Sequence, residues 1–486
     1  MIRCIQTLKL SLLILSFTAV AANAQHNPYF IIKVKTDNPG TSADNAFSIP
    51  VNPSYDYNYS VDCDYDGTFE HTDINESFTC QYPSRRDAQN IAIKGTFPAI
   101  YFNNTGDREK LLEVVNWGNI QWRSMGRAFK GAVNLTVTAA DNPDLSNVYY
   151  MNYMFAGDTN LTFVNSIDDW NTSSVVNMQG MFDGAEKFNQ SIGNWNLSNV
   201  TSMQNMFKNA KSFNQPIGDW DVSNVIYFDN LFNGATAFNQ NIGRWDTSRG
   251  EQMWSMFEGA TAFNQDIGDW DISHVKSMWR MFLNATNFKQ DIGDWDVSGI
   301  TSANGLNRVL KGTPLFISNY DSLLQRWSEI DVLVDNVDFD VDTAEYCEGE
   351  DGKELLTDGH SWTFTDGGVQ CNHFHIKSND AVTVESGTAA VMTVVTTYPD
   401  PDDNIFEIKP VADGDKFTID NNGVLSFKTA PDGNHPNDLN GDGVYRVQVY
   451  ACDASMCMDE DYQTIRVKVL PEPTTANPAL LMYLLN

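Results

Sequence analysis

Carboxylates at alternate positions mark the first stretch with the makings of a chemical site. Asp62-Cys63-Asp64-Tyr65-Asp66-Gly67 matches the opening of a calcium loop, and Glu70 and Asp73 fall at its ninth and twelfth positions. A hard cation needs such oxygen ligands, with a Gly to turn the chain between them. The flanks read as strands rather than EF-hand helices, so an Asp-rich hairpin that binds nothing is the alternative. Asp438, Asn440, Asp442 and Gly443 open the same pattern, but Val449 stands at the twelfth position, where a bidentate acid is needed. Cysteine spacing suggests local disulfides, Cys63 with Cys80, Cys347 with Cys371 and Cys452 with Cys457. The rival reading is a metal site, yet no CxxC spacing or nearby Cys/His cluster supports it. His373-x-His375 places two imidazoles on one strand face at a domain junction, with no evident third ligand.

Enzyme signatures are missing. No GxSxG, HExxH or phosphate-cradling Gly loop occurs, and no acid pair for glycoside hydrolysis stands out from the acidic background. A binding protein is expected, not an enzyme.

The chain that must position these residues has 486 of them, with 63 Asp plus Glu against 31 Lys plus Arg and a net charge of −32. That balance argues against nucleic acid, whose phosphates need clustered Lys and Arg, and against adhesion to anionic lipid. Hydrophobic residues make up 42% and aromatic residues 12%, too apolar for a largely disordered chain. The length predicts about three domains. Residues 1–24 read as a secretory signal peptide, with Arg3 and Lys9 before the apolar run Leu10 to Ala22 and small residues at Ala22-Asn23-Ala24. Cys4 would leave with it, and the remaining six Cys suit an oxidising compartment. Neither that run nor the apolar tail at 473–486 is long enough to span a membrane in the mature chain.

A repeat fills the middle. Trp170, Trp195, Trp220, Trp245, Trp270 and Trp295 recur at one constant interval, and Phe163, Phe188, Phe213, Phe238, Phe263 and Phe288 keep the same period. So do Phe182, Phe207, Phe232, Phe257 and Phe282, with Phe129 and Phe155 extending that row. A fixed period in this range predicts a solenoid of stacked turns. Val275, Met278, Met281 and Phe282 have helical spacing after Ser273, while Phe288 to Gly293 alternates like a short strand. The reading is therefore an α/β repeat solenoid with one short strand and one short helix per turn. Trp, Phe, Met and Ile should form core ladders, and Asn189, Asn214, Asn239 and Asn264 should hydrogen-bond between turns. Asp221, Asp246, Asp271 and Asp296 fit helix-start acids better than a cation row.

The phrase Phe-Asn-Gln-Asp-Ile-Gly-Asp-Trp-Asp-Ile-Ser (263–273), followed by Met-x-x-Met-Phe (278–282), resembles the BspA family of bacterial leucine-rich-repeat surface proteins. The resemblance runs over about residues 100–375. It takes in Trp117-Gly118-Asn119-Ile120-Gln121-Trp122 before the repeats and a cap after them, with Asn319 to Leu324, Tyr346-Cys347 and Trp362 to Gly368. It implies a secreted or surface-displayed protein that binds host or neighbouring-cell proteins.

Around the repeats at 117–311 and their cap at 312–375 lie two further regions. Residues 25–116 alternate apolar and polar in short runs and read as a β-sandwich-like domain. Residues 376–472 are similar to a cadherin-like domain, with Asp400-Pro401-Asp402, Phe417 to Asp420, Ala430-Pro431-Asp432 and Val449 to Asp453 as landmarks. Calcium-binding cadherins use carboxylates at positions matching Asp400, Asp402, Asp432 and Asp453. This chain departs from them at Gly433-Asn434 and lacks their acidic linker at Leu470 to Pro473. The resulting expectation is a secreted or cell-surface bacterial adhesin, a protein-binding scaffold with calcium-stabilised flanking domains. The other reading is a carbohydrate-binding accessory surface protein, in which outward aromatics such as Tyr149, Tyr150 and Trp279 stack on glycans.

Overall fold

The structure, a computed structural model, describes residues 27–371, 376–378, 381–396, 404–410, 412–439, 442–453 and 460–471. The expected signal peptide, the tail at 473–486, the His373-x-His375 pair, Asn440, Asp400, Asp402 and Cys457 lie outside the described residues.

Phe30-Ile31-Ile32-Lys33-Val34 is rich in β-branched residues and forms β1 (Phe30–Val34), with all but Lys33 buried. After it come β2 (Ala46–Ile49), β3 (Asn58–Asp62), β4 (His71–Ile74), β5 (Phe78–Gln81), β6 (Gln89–Thr96), β7 (Leu111–Asn116) and β8 (Thr136–Val137). They build a sheet in the order β4-β3-β6-β1-β7-β8, with β2 and β5 paired separately. β1 runs antiparallel to β6 and β7, with Phe30 opposite Ile93 and Ile32 opposite Val114. At the sheet's edge β8 runs parallel to β7, and Val137 then bridges to Val164. The sheet passes directly into the repeats. Trp117 seals that junction, with Trp170 packed edge-on at 5.7 Å.

The repeats are not the α/β solenoid expected. Between β8 and the helix α1 (Ile317–Ser328), the described residues hold no α-helix and no strand longer than a single bridge, only turns and short 3-10 segments. Over the whole structure the regular elements are mostly strands, in several small sheets, with two α-helices among the described residues. Backbone conformation is what excludes the helix. One position in each unit, Arg127, Tyr153, Gly180, Asn205, Asn230, Ser255, Arg280 and Arg308, has a φ between 52 and 60°. Four residues on, Gly131, Gly157, Gly184, Asn209, Gly234, Gly259, Asn284 and Gly312 are left-handed as well. Two left-handed residues four positions apart in every unit cannot sit in a right-handed helix.

The backbone is satisfied in two ways that alternate. Met278, Arg280, Phe282 and Asn284 donate to carbonyls of the following unit, at Gly305, Asn307, Val309 and Lys311. In between, Met281, Leu283 and Ala285 donate three residues back, to Met278, Arg280 and Phe282. Turns linked in this way bury Val275, Met278, Met281 and Phe282 together, which is why helical spacing appears in a segment without a helix. Single bridges join Tyr150, Asn177, Ser202, Tyr227, Gln252 and Ser277 in one parallel line.

Ladders fill the core. Phe207 and Phe232 stack at 5.7 Å, and Phe257 and Phe282 at 5.4 Å. Trp245 and Trp270 stack at 6.2 Å, their indole N–H groups donating to the carbonyls of Ile217 and Ile242 in the preceding unit. Phe163 leaves its ladder and is exposed, because Val164 points inward in its place.

At the far end α1 lays Tyr320, Leu323, Leu324 and Trp327 on the last units. The rest of the cap is β9 (Asp338–Asp340), β10 (Glu345–Tyr346), α2 (Glu350–His360), β11 (Thr363–Thr365) and β12 (Gly368–Val369), with parallel pairs β9–β11 and β10–β12. One buried core runs unbroken from Phe30 to Trp362.

A second core, from Ile376 to Val469, lies between two sheets. Its strands are β13 (Ala381–Glu385), β14 (Ala390–Thr393), β15 (Asn404–Ile408), β16 (Phe417–Ile419), β17 (Val424–Phe427), β18 (Val444–Asp453) and β19 (Glu460–Leu470). The sheet orders are β13-β19-β18-β15 and β14-β17-β16, with β13 parallel to β19. Among the described residues no helix is long and apolar enough to cross a membrane.

Candidate functional site

The Asp62 loop brings together four of its five expected ligands. Ligand oxygens of Asp62, Asp64, Asp66 and Glu70 lie within 4.8 Å of one another. Asp73 is not among them: it sits exposed in β4 with φ at 59°. Asp62 is buried, and its carboxylate accepts from the backbone N–H groups of Tyr65 (2.6 Å), Asp66 (3.3 Å) and Gly67 (2.9 Å). Those bonds fold the turn, in which Tyr65 and Gly67 are left-handed. The three remaining carboxylates are exposed, as acidic groups without an ion commonly are.

At the other end, Asp432 is exposed, and the backbone N–H of Asn434 and the His435 ring hold its carboxyl below the usual range. Asp453 ends β18 opposite Asn404. Cys63 pairs with Cys80 and Cys347 with Cys371, with Cα atoms 5.7 and 4.9 Å apart. Cys452 is also disulfide-bonded.

The regular Trp row is buried from Trp170 to Trp295, so those rings have no face for a ligand. The four repeated acids do a local job. Asp221, Asp246 and Asp271 each accept from the N–H and hydroxyl of the Ser two residues on, and Asp296 accepts from the Ser298 N–H. They open turns; only Asp296 precedes a helical segment, and that one is a single 3-10 turn. The Asn ladder is present, with the N–H of Asn214, Asn239 and Asn264 each 2.9 Å from the preceding Asn side-chain oxygen.

A surface of different character lies along the line of bridges. Met151, Met178, Met203, Phe228, Met253 and Met278 point into the core, and by two-residue alternation the positions on either side turn away from it, although Ser202 and Asp229 among them are covered by their neighbours. One outer column runs Tyr150, Asn177, Ser202, Tyr227, Gln252, Ser277. Tyr150 is 51% exposed, Tyr227 44% and the adjacent Tyr149 53%. The other column runs Asn152, Gln179, Gln204, Asp229, Trp254, Trp279. Its middle is polar: Gln179 donates to Gln204, and Gln204 donates to one oxygen of Asp229 at 3.3 Å. Burial pushes the Asp229 carboxyl up to about 6. The column then turns aromatic. Trp254 and Trp279, both half-buried, lie 6.4 Å apart with their planes at 48°.

These two indoles wall a shallow groove of about 650 Å³, completed by Lys276, Ser277, Ser302 and Asn304. The hollow forms where the repeat loses its period. Met253 donates to Ser277 in the next unit, whereas Met278, whose equivalent partner would be Ser302, donates to Gly305 instead. Sequence reading picked out Tyr149, Tyr150 and Trp279 but missed Trp254 and Tyr227. The alternation around each inward Met or Phe was the available signal.

Residues 123–230 and 215–320 match the family model described as Mycoplasma protein of unknown function, DUF285. The matched spans coincide with the turn-rich repeats. Over them the chain is a bacterial surface-repeat-like protein, and the finer BspA leucine-rich-repeat assignment does not follow from the match. Neither the curated proteins nor the solved structures give a match to this chain.

Proposed function

We propose that the chain is a secreted or cell-surface bacterial adhesin, a scaffold that presents the bridged face of its repeats to proteins on a host or neighbouring cell. The observation carrying this reading is the gathering of Tyr149, Tyr150, Tyr227, Trp254 and Trp279 on one outward face, while every other ladder of large side chains is buried. Exposed aromatics gathered on a regular surface mark an interaction site, and Tyr and Trp supply much of the binding energy at protein interfaces. The match to a bacterial surface-repeat family is consistent with display outside the cell, as are the disulfides of the N-terminal domain and of the cap. Binding, not catalysis, is the role this face suits: it is open and shallow.

The test is binding of the purified chain to intact cells. Tyr150→Ser with Tyr227→Ser should lower binding roughly tenfold, and protease treatment of the target cells should abolish it. Unchanged binding by the double variant would remove this face as the binding surface.

A further inference from the structure

We infer that the Trp254–Trp279 groove is a subsite for an anionic sugar, a glycan ring carrying a carboxylate or a sulfate. The inference rests on the reading of the bridged face as a binding face. It adds a ligand class and a place.

The groove departs from its own repeat. Upstream in the same column, Gln179, Gln204 and Asp229 are hydrogen-bonded along the stack. Two indoles in succession end that polar ladder and, tilted at 48°, form a trough instead of stacking on each other as the core Trp rungs do. An apolar platform edged by a few placed polar groups is the usual composition of a small-ligand site. Here the polar groups are the hydroxyls of Ser277 and Ser302 and the amide of Asn304, suited to the hydroxyls of a sugar.

Charge selects among sugars. In a chain with 63 acids against 31 basic residues, no acid lines this groove and Lys276 does. Arg280, the residue after Trp279, holds its guanidinium 4.1 Å over that indole, which puts a second positive charge against one wall of the groove. An ammonium in the lining and a guanidinium stacked on its wall favour a ligand that carries a carboxylate or sulfate. Arg280 is left-handed, like its counterparts in every unit, so the turn itself sets where its side chain leaves the backbone.

The test is calorimetric titration of the full chain with tetragalacturonate, a chondroitin sulfate tetrasaccharide and neutral galactotetraose. At least one anionic probe should bind roughly tenfold or more tighter than the neutral one, and comparing the two anionic probes separates carboxylate from sulfate recognition. Trp254→Ala and Trp279→Ala should abolish measurable binding. Trp279→Phe should keep part of it. Lys276→Gln with Arg280→Gln should erase the preference for the charged probe. Thermal melts establish that each variant is folded. The inference is overturned if no probe binds the wild-type chain, if galactotetraose binds as well as the anions, or if folded Trp254→Ala and Trp279→Ala bind like wild type. Should those failures occur while Tyr150→Ser with Tyr227→Ser still loses cell binding, only the sugar subsite falls. If the tyrosine variant binds cells normally, it is the adhesin reading that falls.

Discussion

Asp158 occupies a position that belongs to alanine. The residue after the second left-handed position is Ala132, Ala185, Ala210, Ala235, Ala260 and Ala285 in the neighbouring units, all buried. At Asp158 the same site holds a carboxyl that burial pushes well above its ordinary range, only partly offset by the backbone N–H groups of Ala132 and Gly131. A buried acid with so little support costs about 1–3 kcal/mol relative to an apolar residue. Asp158→Ala should therefore stabilise the chain by about that amount at pH 7, read from urea unfolding. The pH dependence follows from linkage. An acid whose folded value is raised supports folding fully below its unfolded value, about 3.9, and that contribution is lost as pH rises toward the folded value. The gain from Asp158→Ala should be small at pH 4 and grow toward pH 8. A gain independent of pH would mean that the carboxyl is not the source of the cost. The exception was readable in the sequence, since Gly-Ala or Asn-Ala recurs with the period and Gly157-Asp158 breaks it. Its cost in stability was not, because burial at that site depends on the units stacked to either side of it.

Within one unit the question is why the spacing was legible and the conformation was not. Apolar residues at 275, 278, 281 and 282 fit a helix, and all four are buried, so the inward residues were identified correctly. Linked turns with three-residue hydrogen bonds give nearly the same spacing, and period alone does not separate them. The better signal lay at the fourth position after each Arg280 equivalent, where only Gly or Asn occurs, the residues that tolerate positive φ. Gly259 decides between the two conformations by sign. In a helix, Gly→Ala would stabilise by about 1 kcal/mol. At its observed φ of 69°, Gly259→Ala should destabilise by about 1–2 kcal/mol. The cost is conformational and not steric, because a Cβ there would meet nothing closer than the Gly234 Cα at 3.9 Å. Gly259→Asn should cost less than Gly259→Ala, as Asn284 already occupies the equivalent place. A thermal melt that rises for Gly259→Ala would contradict the turn geometry. The tyrosines and indoles of the outer face follow from the same alternation: once Met253 points inward, Gln252 and Trp254 must not.

Across the whole molecule, the least legible feature is how the two cores meet. Along β18 and β19 the apolar residues Val447, Val449, Ile465 and Val467 fill the second core, and the intervening Arg446, Gln448, Thr464 and Arg466 form a polar stripe of the kind that usually faces water. Instead that stripe is buried against the repeats and cap. Arg466 pairs with Asp291 at 2.9 Å and also with Asp294, Arg446 pairs with Asp269, and Gln448 donates to Gln290 at 3.1 Å. Ser318 of α1 donates to Asp461 and to the Tyr462 carbonyl. Nothing local in the strands announces such a contact, since a polar stripe facing water and one facing another polar surface have the same alternation. The contact is strong only while its charges stay paired. Removing one partner of a buried pair costs about 3–5 kcal/mol, so Arg466→Met should release the second core from the repeats without unfolding it, its own apolar interior being separate. Asp461 adds a pH term. Burial raises its carboxyl to about 7, whereas a released β19 would return it to about 3.9. Its contribution to docking is full below pH 4 and disappears as pH rises through 7. Small-angle scattering should show the Arg466→Met chain extended relative to wild type, with the difference between pH 5.5 and 8 in the same direction for wild type. Identical radii for both proteins at both pH values would mean that the ion pairs and Asp461 do not hold the two cores together.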